Sequence, residues 1–236
     1  SRMGWMFKLS ADGKKIWNKN LGKTKINTCA IDGNDKIYIG GSLAKDTLEA
    51  HYALTIFNRE AKKVSERTYS GKGEINDIHI DPSGNMLICG SNWLLYTDSR
   101  RYILWDDVIN SSLTATACAV SGNTGFYSAG ANSSKIFYAA YGSDGKRKWL
   151  QDYDKSDVTQ EIADMAAVSS GNLIVLEQKQ SGAKIKTFSP KGSVVGVKEF
   201  TGNNSVQSIV SDPGGILLTM NNGDLIIFRF SPLSSL

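Results

Sequence analysis

Histidine is nearly absent from this chain, with only His51 and His79. Cysteine is almost as scarce: Cys29, Cys89 and Cys118 stand far apart in sequence. Transition-metal sites gather closely spaced Cys and His, so no metal site and no metal cofactor are expected. The three cysteines are an odd number with no close spacing, and they are expected to be small buried hydrophobes. No apolar run approaches the roughly 18 residues of a membrane-spanning helix, so no transmembrane segment is expected. No signal peptide is visible, but the chain opens Ser1-Arg2-Met3 and goes straight into a strand pattern. A start at Ser1 is expected to be a processed or cut end, so the lack of a signal says nothing of the compartment, which stays unknown. Charge of one sign is not concentrated. The net charge is +4, and the basic clusters Lys62-Lys63 and Lys146-Arg147-Lys148 are short. Nucleic-acid binding needs a basic face, so no nucleic-acid partner is expected, and scattered Lys suits solvated strand edges.

What the chain does have is a repeat. The turn Ala11-Asp12-Gly13-Lys14 recurs as Ser143-Asp144-Gly145-Lys146 and Pro190-Lys191-Gly192-Ser193, with weaker copies at Glu60-Ala61-Lys62 and Arg100-Arg101-Tyr102. The spacing is about 44 residues, the period of four-stranded propeller blades. Each repeat reads as four short strands. The first is small and apolar (Ile26 to Ile31, Ile75 to Ile80, Ala115 to Val120, Ile162 to Val168, Val206 to Val210). A Gly-containing turn such as Asp32-Gly33-Asn34 or Asp81-Pro82-Ser83-Gly84 follows it. The fourth is polar and carries Trp17, Trp105 or Trp149, as an exposed outer edge would. A β-sandwich also has short strands, but it does not require the same unit five times.

The expected fold is therefore all-β: one domain over residues 1–236, alone or within a longer chain, forming a β-propeller of about five four-stranded antiparallel blades. The chain opens with a third and a fourth strand and closes with a first, second and third. That gives twenty-one strands where five closed blades need twenty. One third strand is surplus unless the ring is larger. The favoured arrangement has mixed N- and C-terminal strands closing the ring, with Lys15–Asn20 joining the last blade.

The segments Leu9 to Trp17 and Tyr141 to Trp149 resemble the hairpins of bacterial PQQ-like β-propeller repeats, and Asp81-Pro82-Ser83-Gly84-Asn85 resembles the turn of NHL-type and lyase-type propellers. The resemblance covers nearly the whole chain and is generic. It implies a propeller and a periplasmic or extracellular setting, and it implies no cofactor. The Asp-box of sialidase-like propellers is approached by Ser10, Asp12 and Trp17 but broken by Lys14, so no glycosidase residues are carried over.

Five residues before each first turn stand Asn27, Asn76, Thr116, Asp164 and Gln207, all polar. A ring of these side chains at the axial mouth would hold a small polar ligand, a cation or ordered water; a narrow polar channel filled by water accounts for it equally. Asp77 and His79 alternate on one strand face near Glu74. An Asp–His pair is a general-base arrangement, although two residues apart in a strand they stand roughly 7 Å from one another. Recurrent aromatics (Trp5, Trp93, Trp105, Trp149 among them) suit packing between blades, sugar stacking or partner anchoring. The sequons at Asn110, Asn132 and Asn203 matter only in a eukaryotic secretory protein. The loops Ser42–His51 and Asp152–Glu161 are longer than their counterparts, and loops on a rigid frame are where such folds differentiate. The leading expectation is a non-catalytic interaction module binding a protein or glycan through its loops or axial face. The alternative is a lyase- or hydrolase-type enzyme with an axial polar or metal-assisted site using Asp77, His79, Glu161 and Asp164.

Overall fold

A computed structural model of the chain describes residues 4–43, 51–69, 73–109, 112–122, 125–155, 160–168, 170–179, 182–201, 206–212, 215–220 and 225–228. Among them there are strands and turns and no helix. Strands β1 (Gly4–Leu9) and β2 (Lys15–Gly22) form a hairpin. Four complete antiparallel sheets follow. The first is β3 (Thr24–Ile31), β4 (Ile37–Leu43), β5 (His51–Phe57) and β6 (Lys63–Tyr69); the second is β7 (Asp77–Ile80), β8 (Met86–Gly90), β9 (Trp93–Thr97) and β10 (Ile103–Val108). The third is β11 (Thr114–Ser121), β12 (Gly125–Ala131), β13 (Lys135–Tyr141) and β14 (Arg147–Asp154); the fourth is β15 (Glu161–Ala167), β16 (Leu173–Lys179), β17 (Gly182–Phe188) and β18 (Val194–Thr201). A three-stranded sheet ends the order: β19 (Val206–Asp212), β20 (Gly215–Met220) and β21 (Leu225–Phe228).

These are the twenty-one strands expected, and the sheet count fits five blades. The sheets are not closed into a ring. Strand β2 pairs with β1, and among the described residues no strand joins β1 or β2 to the last sheet. The surplus third strand is the physical reason: β1 already satisfies the inner edge of β2, and β21 already fills the third place in the C-terminal sheet. The segment Asp152–Asp154 belongs to β14 rather than to a loop, with Asp152 opposite Phe137. Residues 44–50 and 156–159 of the two long loops, and the sequons at Asn110 and Asn203, lie outside the described residues.

The core sits between sheets rather than within one. One cluster joins Leu87, Cys89 and Leu94 of the second sheet to Cys118, Phe126, Phe137 and Tyr141 of the third. Another joins Tyr127, Ala129 and Tyr138 of the third to Met165, Leu173 and Phe188 of the fourth. The tryptophans of the fourth strands bolt these interfaces. Trp17 donates Nε1–H to Arg59 O at 3.2 Å and Trp149 to Pro190 O at 3.0 Å, each on the next sheet's third turn. Trp105 stacks on Tyr141 at 5.9 Å. Those turns need a left-handed residue. Gly13, Gly145 and Gly192 supply it with φ of 79, 76 and 88°, and in the weaker copies Ala61 and Arg101 adopt the same conformation at 61 and 77°.

Two β-bulges recur in each repeat. On the fourth strands the register skips Ile16, Val64, Leu104, Lys148 and Val195. On the first strands it skips Asn27, Thr116, Ala163 and Gln207, and Asn76 takes the same place by donating its N–H to Cys89 O. The inner bulge bends the backbone toward its partner strand, which explains the glycines opposite it. A Cβ on Gly41 would stand 1.9 Å from Lys25 O, and one on Gly130 1.9 Å from Thr114 O. Gly130→Ala is therefore expected to cost about 3 kcal/mol by overpacking, read as a shift in urea midpoint at unchanged slope; an unchanged midpoint would contradict this account.

Candidate functional site: the axial belt

Successive first strands touch one another, β3 with β7, β7 with β11, β11 with β15 and β15 with β19. They line the axis, and in the first three complete sheets the inner bulge places a polar side chain there. Asn27 donates to Ile75 O at 2.8 Å and Asn76 to Ala115 O at 2.7 Å, while Thr116 reaches Ile162 O at 3.4 Å. Each acceptor is the carbonyl just before the next sheet's bulge, so these three residues form a belt of hydrogen bonds running from sheet to sheet. Asn27 also donates to Glu74 Oε2 at 3.0 Å, where Lys25 Nζ sits at 2.5 Å. Burial pushes the Glu74 carboxyl up, but those two partners outweigh it and hold it low.

Asp164 stands one place further along than the other ring members. The turn after β15 begins at Val168, whose N–H bonds Asn172 O, so Ala163 occupies the bulge and Asp164 follows it. The expected alignment on Ser169 is thus one residue out at this sheet. The counterpart of Asp164 is Asp77. Each carboxylate accepts the N–H of its own following residue, Ile78 or Met165, both at 2.8 Å. Each also clamps the next sheet: Asp77 takes Cys118 N–H at 3.0 Å and Asp164 takes Ile209 N–H at 2.8 Å. Hydroxyls complete both, Thr28 on Asp77 at 3.1 Å and Ser208 on Asp164 at 2.7 Å. The side chain of Gln207 lies outside the described residues.

Burial pushes the Asp77 carboxyl up to about 6; the Asp164 charge adds to this, and the N–H donors oppose it. His79 is pulled below its usual value by burial, against the negative charges of Asp164 and Asp81. It lines an open cleft of about 370 Å³ at the other end of the first strands, between the turns of the first three complete sheets. Asp32 and Asp81 at that cleft are consumed by their own turns. Asp81 accepts Ser83 N–H, Asn85 N–H and the Tyr96 hydroxyl at 2.8, 2.9 and 2.6 Å. Asp32 does the same with Asn34, Lys36 and Tyr38. Glu161 is exposed at the start of β15, opposite Gln178. Among the described residues no group of three or more His, Cys, Asp or Glu is arranged to hold a metal ion.

The cysteines divide. Cys89 and Cys118 are buried in contact across the second and third sheets, and burial pushes both thiols up. Cys29 is exposed, contrary to expectation. At the same place in the other first strands, Ile78, Cys118, Met165 and Ile209 are all buried. Among the described residues no sheet covers the outer face of β3.

No protein-family model matches the chain, and no curated protein matches it by sequence. Solved structures do. The chain is similar to the WD40 domain of Neurospora crassa Pan2, with TM-score 0.62 and 10% identity over 92% of this chain and 67% of that one. It is similar to virginiamycin B lyase from Staphylococcus aureus, with TM-score 0.60 and 12% identity over 98% and 76%. It is also similar to a protein of unknown function from Bacteroides caccae, with TM-score 0.58 and 13% identity over 81% and 71%. The fold is a β-propeller. At these identities the likeness is one of fold, and the resemblance to PQQ-like and NHL-like repeats rests on the quoted motifs alone.

The propeller also uses residues that its sequence pattern did not flag. Glu177 is fully buried on β16 at the position that Gly41 and Gly130 occupy in their sheets. It is paired with Lys186 at 2.7 Å and accepts from Tyr138 and Gln160. The available signal was an acid directly after the apolar run Leu173 to Leu176, on a strand whose next residues are polar.

Proposed function

We propose that this propeller is a non-catalytic interaction module that binds a protein or glycan through its loops and axial face, with no nucleic-acid partner. The observation that carries this is the state of the axial side chains. Asn27, Asn76, Thr116, Asp77 and Asp164 each bond a neighbouring sheet, so they act as bolts of the frame before they act on any substrate. What remains for a ligand is the oxygen-rich mouth of the belt, which suits ordered water or a weakly held polar group. The enzyme alternative would place a metal-assisted site at Asp77, His79, Glu161 and Asp164. Calcium sites usually gather several carboxylates in direct coordination, and here the two clamp carboxylates already hold backbone N–H groups. Isothermal calorimetry with Ca²⁺ and Mg²⁺ is expected to give weak or no heat, and Asp164→Asn to leave that unchanged. A tight site lost in Asp164→Asn would put the enzyme reading first.

The module is read as one domain over residues 1–236 with five blades, and the face that β1 and β3 leave bare is where a closing sheet would pack. That face carries Trp5, Phe7, Leu9, Cys29 and Ile31, all exposed. Its other side, Met6, Trp17 and Leu21, already packs on Ile37, Ile39 and Phe57. Native-state thiol labelling separates the possibilities. A closed five-blade ring leaves no thiol reacting faster than global unfolding allows, whereas one fast equivalent, mapped to Cys29, would show an open arc.

A further inference from the structure

The outer bulge holds an exposed aliphatic residue in four of its five copies. Ile16, Val64, Leu104 and Val195 are 56, 57, 54 and 53% exposed. The fifth copy is Lys148, in the basic cluster Lys146-Arg147-Lys148. Its neighbours have partners: Lys146 lies 3.6 Å from Asp144, and Arg147 is 2.5 Å from Asp107. Lys148 makes no ion pair among the described residues. It borders an open groove of about 510 Å³ between the third and fourth complete sheets, within the size range of ligand clefts. The floor of that groove is backbone-rich, built from Gly122, Gly125, Gly171 and Ser170. Pro190 forms the far wall, and exposed Lys191 follows it on the same turn.

We infer that this groove is a docking site for an extended acidic peptide, with Lys148 as the cation that takes a carboxylate. The inference deepens the interaction-module reading and rests on it. Charge sets the class: the one repeat position that departs from the aliphatic pattern departs to a cation that makes no ion pair among the described residues, beside a concave surface, with exposed Lys191 next to the lining residue Pro190 adding the same sign. A sugar would need an exposed aromatic face. Here Tyr141 is buried, and Tyr127 turns its ring to Trp149 at 6.3 Å and its hydroxyl to Gly171 O at 2.8 Å. Gly171 is spent within the frame, its N–H on Val168 O and its O on the Tyr127 hydroxyl, so the charge at Lys148 and Lys191 carries the choice of an acidic peptide.

The test is fluorescence anisotropy of the full chain with a labelled oligoglutamate peptide. Lys148→Leu is the decisive variant, because Leu104 already fills the same bulge and the fold accepts it. Losing one charge-assisted contact is expected to weaken binding about tenfold with the melting curve unchanged, and moderate salt is expected to weaken the wild type. Lys148→Gln keeps the length without the charge and is expected to behave likewise, should the leucine variant fold poorly. The inference is overturned if both variants bind as the wild type does. It is also overturned if oligoglutamine binds equally well, or if a sulfated oligosaccharide binds where oligoglutamate does not. A divalent-ion site lost in Asp164→Asn would count against the module reading instead and would leave the groove measurement standing.

Discussion

Lys186→Met is expected to lower the melting temperature by about 10 °C, the largest loss anticipated from a single side chain. Glu177 is fully buried, and Lys186 is its counter-ion at 2.7 Å. Removing one member of a buried pair leaves an uncompensated charge, which costs roughly 3–5 kcal/mol. In a chain of this length each kcal/mol moves the midpoint about 2–4 °C. The lysine also spans two sheets: it lies over the rings of Tyr138 and Tyr153 at 5.4 and 5.2 Å, so its stem is part of the packing between them. Tyr138 stays protonated, because burial and then the Glu177 charge push its hydroxyl well up, and it keeps donating to that carboxylate. The double variant Lys186→Met/Glu177→Gln removes both charges and is expected to recover most of the loss. Circular dichroism melts of the three proteins check this. A single variant that melts with the wild type, or a double variant no better than the single, would show that the pair does not hold the interface.

The fold was largely legible because its signals are local and repeated. Period-two alternation, Asp-Gly turns and the order of strand types depend on short spacings, and each error is corrected by four other copies. The two strands of the N-terminal hairpin and the three of the last sheet were both countable in advance. Closure was not legible, since it depends on which of two third strands, β1 or β21, occupies one place, and no spacing decides that competition. The axial site was half legible. Polarity groups Asn27, Asn76 and Thr116, which each bond the next sheet, but the inner bulge adds a residue to the strand, and a turn starting at Val168 puts Asp164 out of line with them. Their role was hidden too, because a side chain's partner on the next sheet lies roughly 40 residues away. The same distance hid Glu177 and Lys186 from Tyr138, and Arg101, buried over the Tyr38 ring at 4.7 Å, from the sheet before it.

Asp77 and His79 are expected to give the protein opposing pH dependences that single substitutions separate. The Asp77 carboxyl is raised to about 6 from an ordinary 3.8, chiefly by burial. Between those values the native state holds a proton that the unfolded chain has released, so stability falls as pH rises from about 4 to about 6. With partial solvent access the change is on the order of 2 kcal/mol. His79 works the other way. Burial lowers it from 6.5, so below that pH the unfolded chain binds a proton that the native state does not, and stability falls as pH drops. The wild type should therefore show a shallow dependence across this window. Asp77→Asn keeps an oxygen for the Cys118 N–H and removes the titration, leaving the histidine: its stability should climb from pH 5 to pH 7. His79→Gln leaves the carboxylate, and its stability should decline from pH 4.5 to pH 6.5. Groups held low, such as Asp32 and Glu74, contribute below this window and equally in both variants. Urea midpoints measured across pH 4 to 8 decide the matter, and two variant curves running parallel to the wild type would mean that neither group is perturbed by its place at the axis.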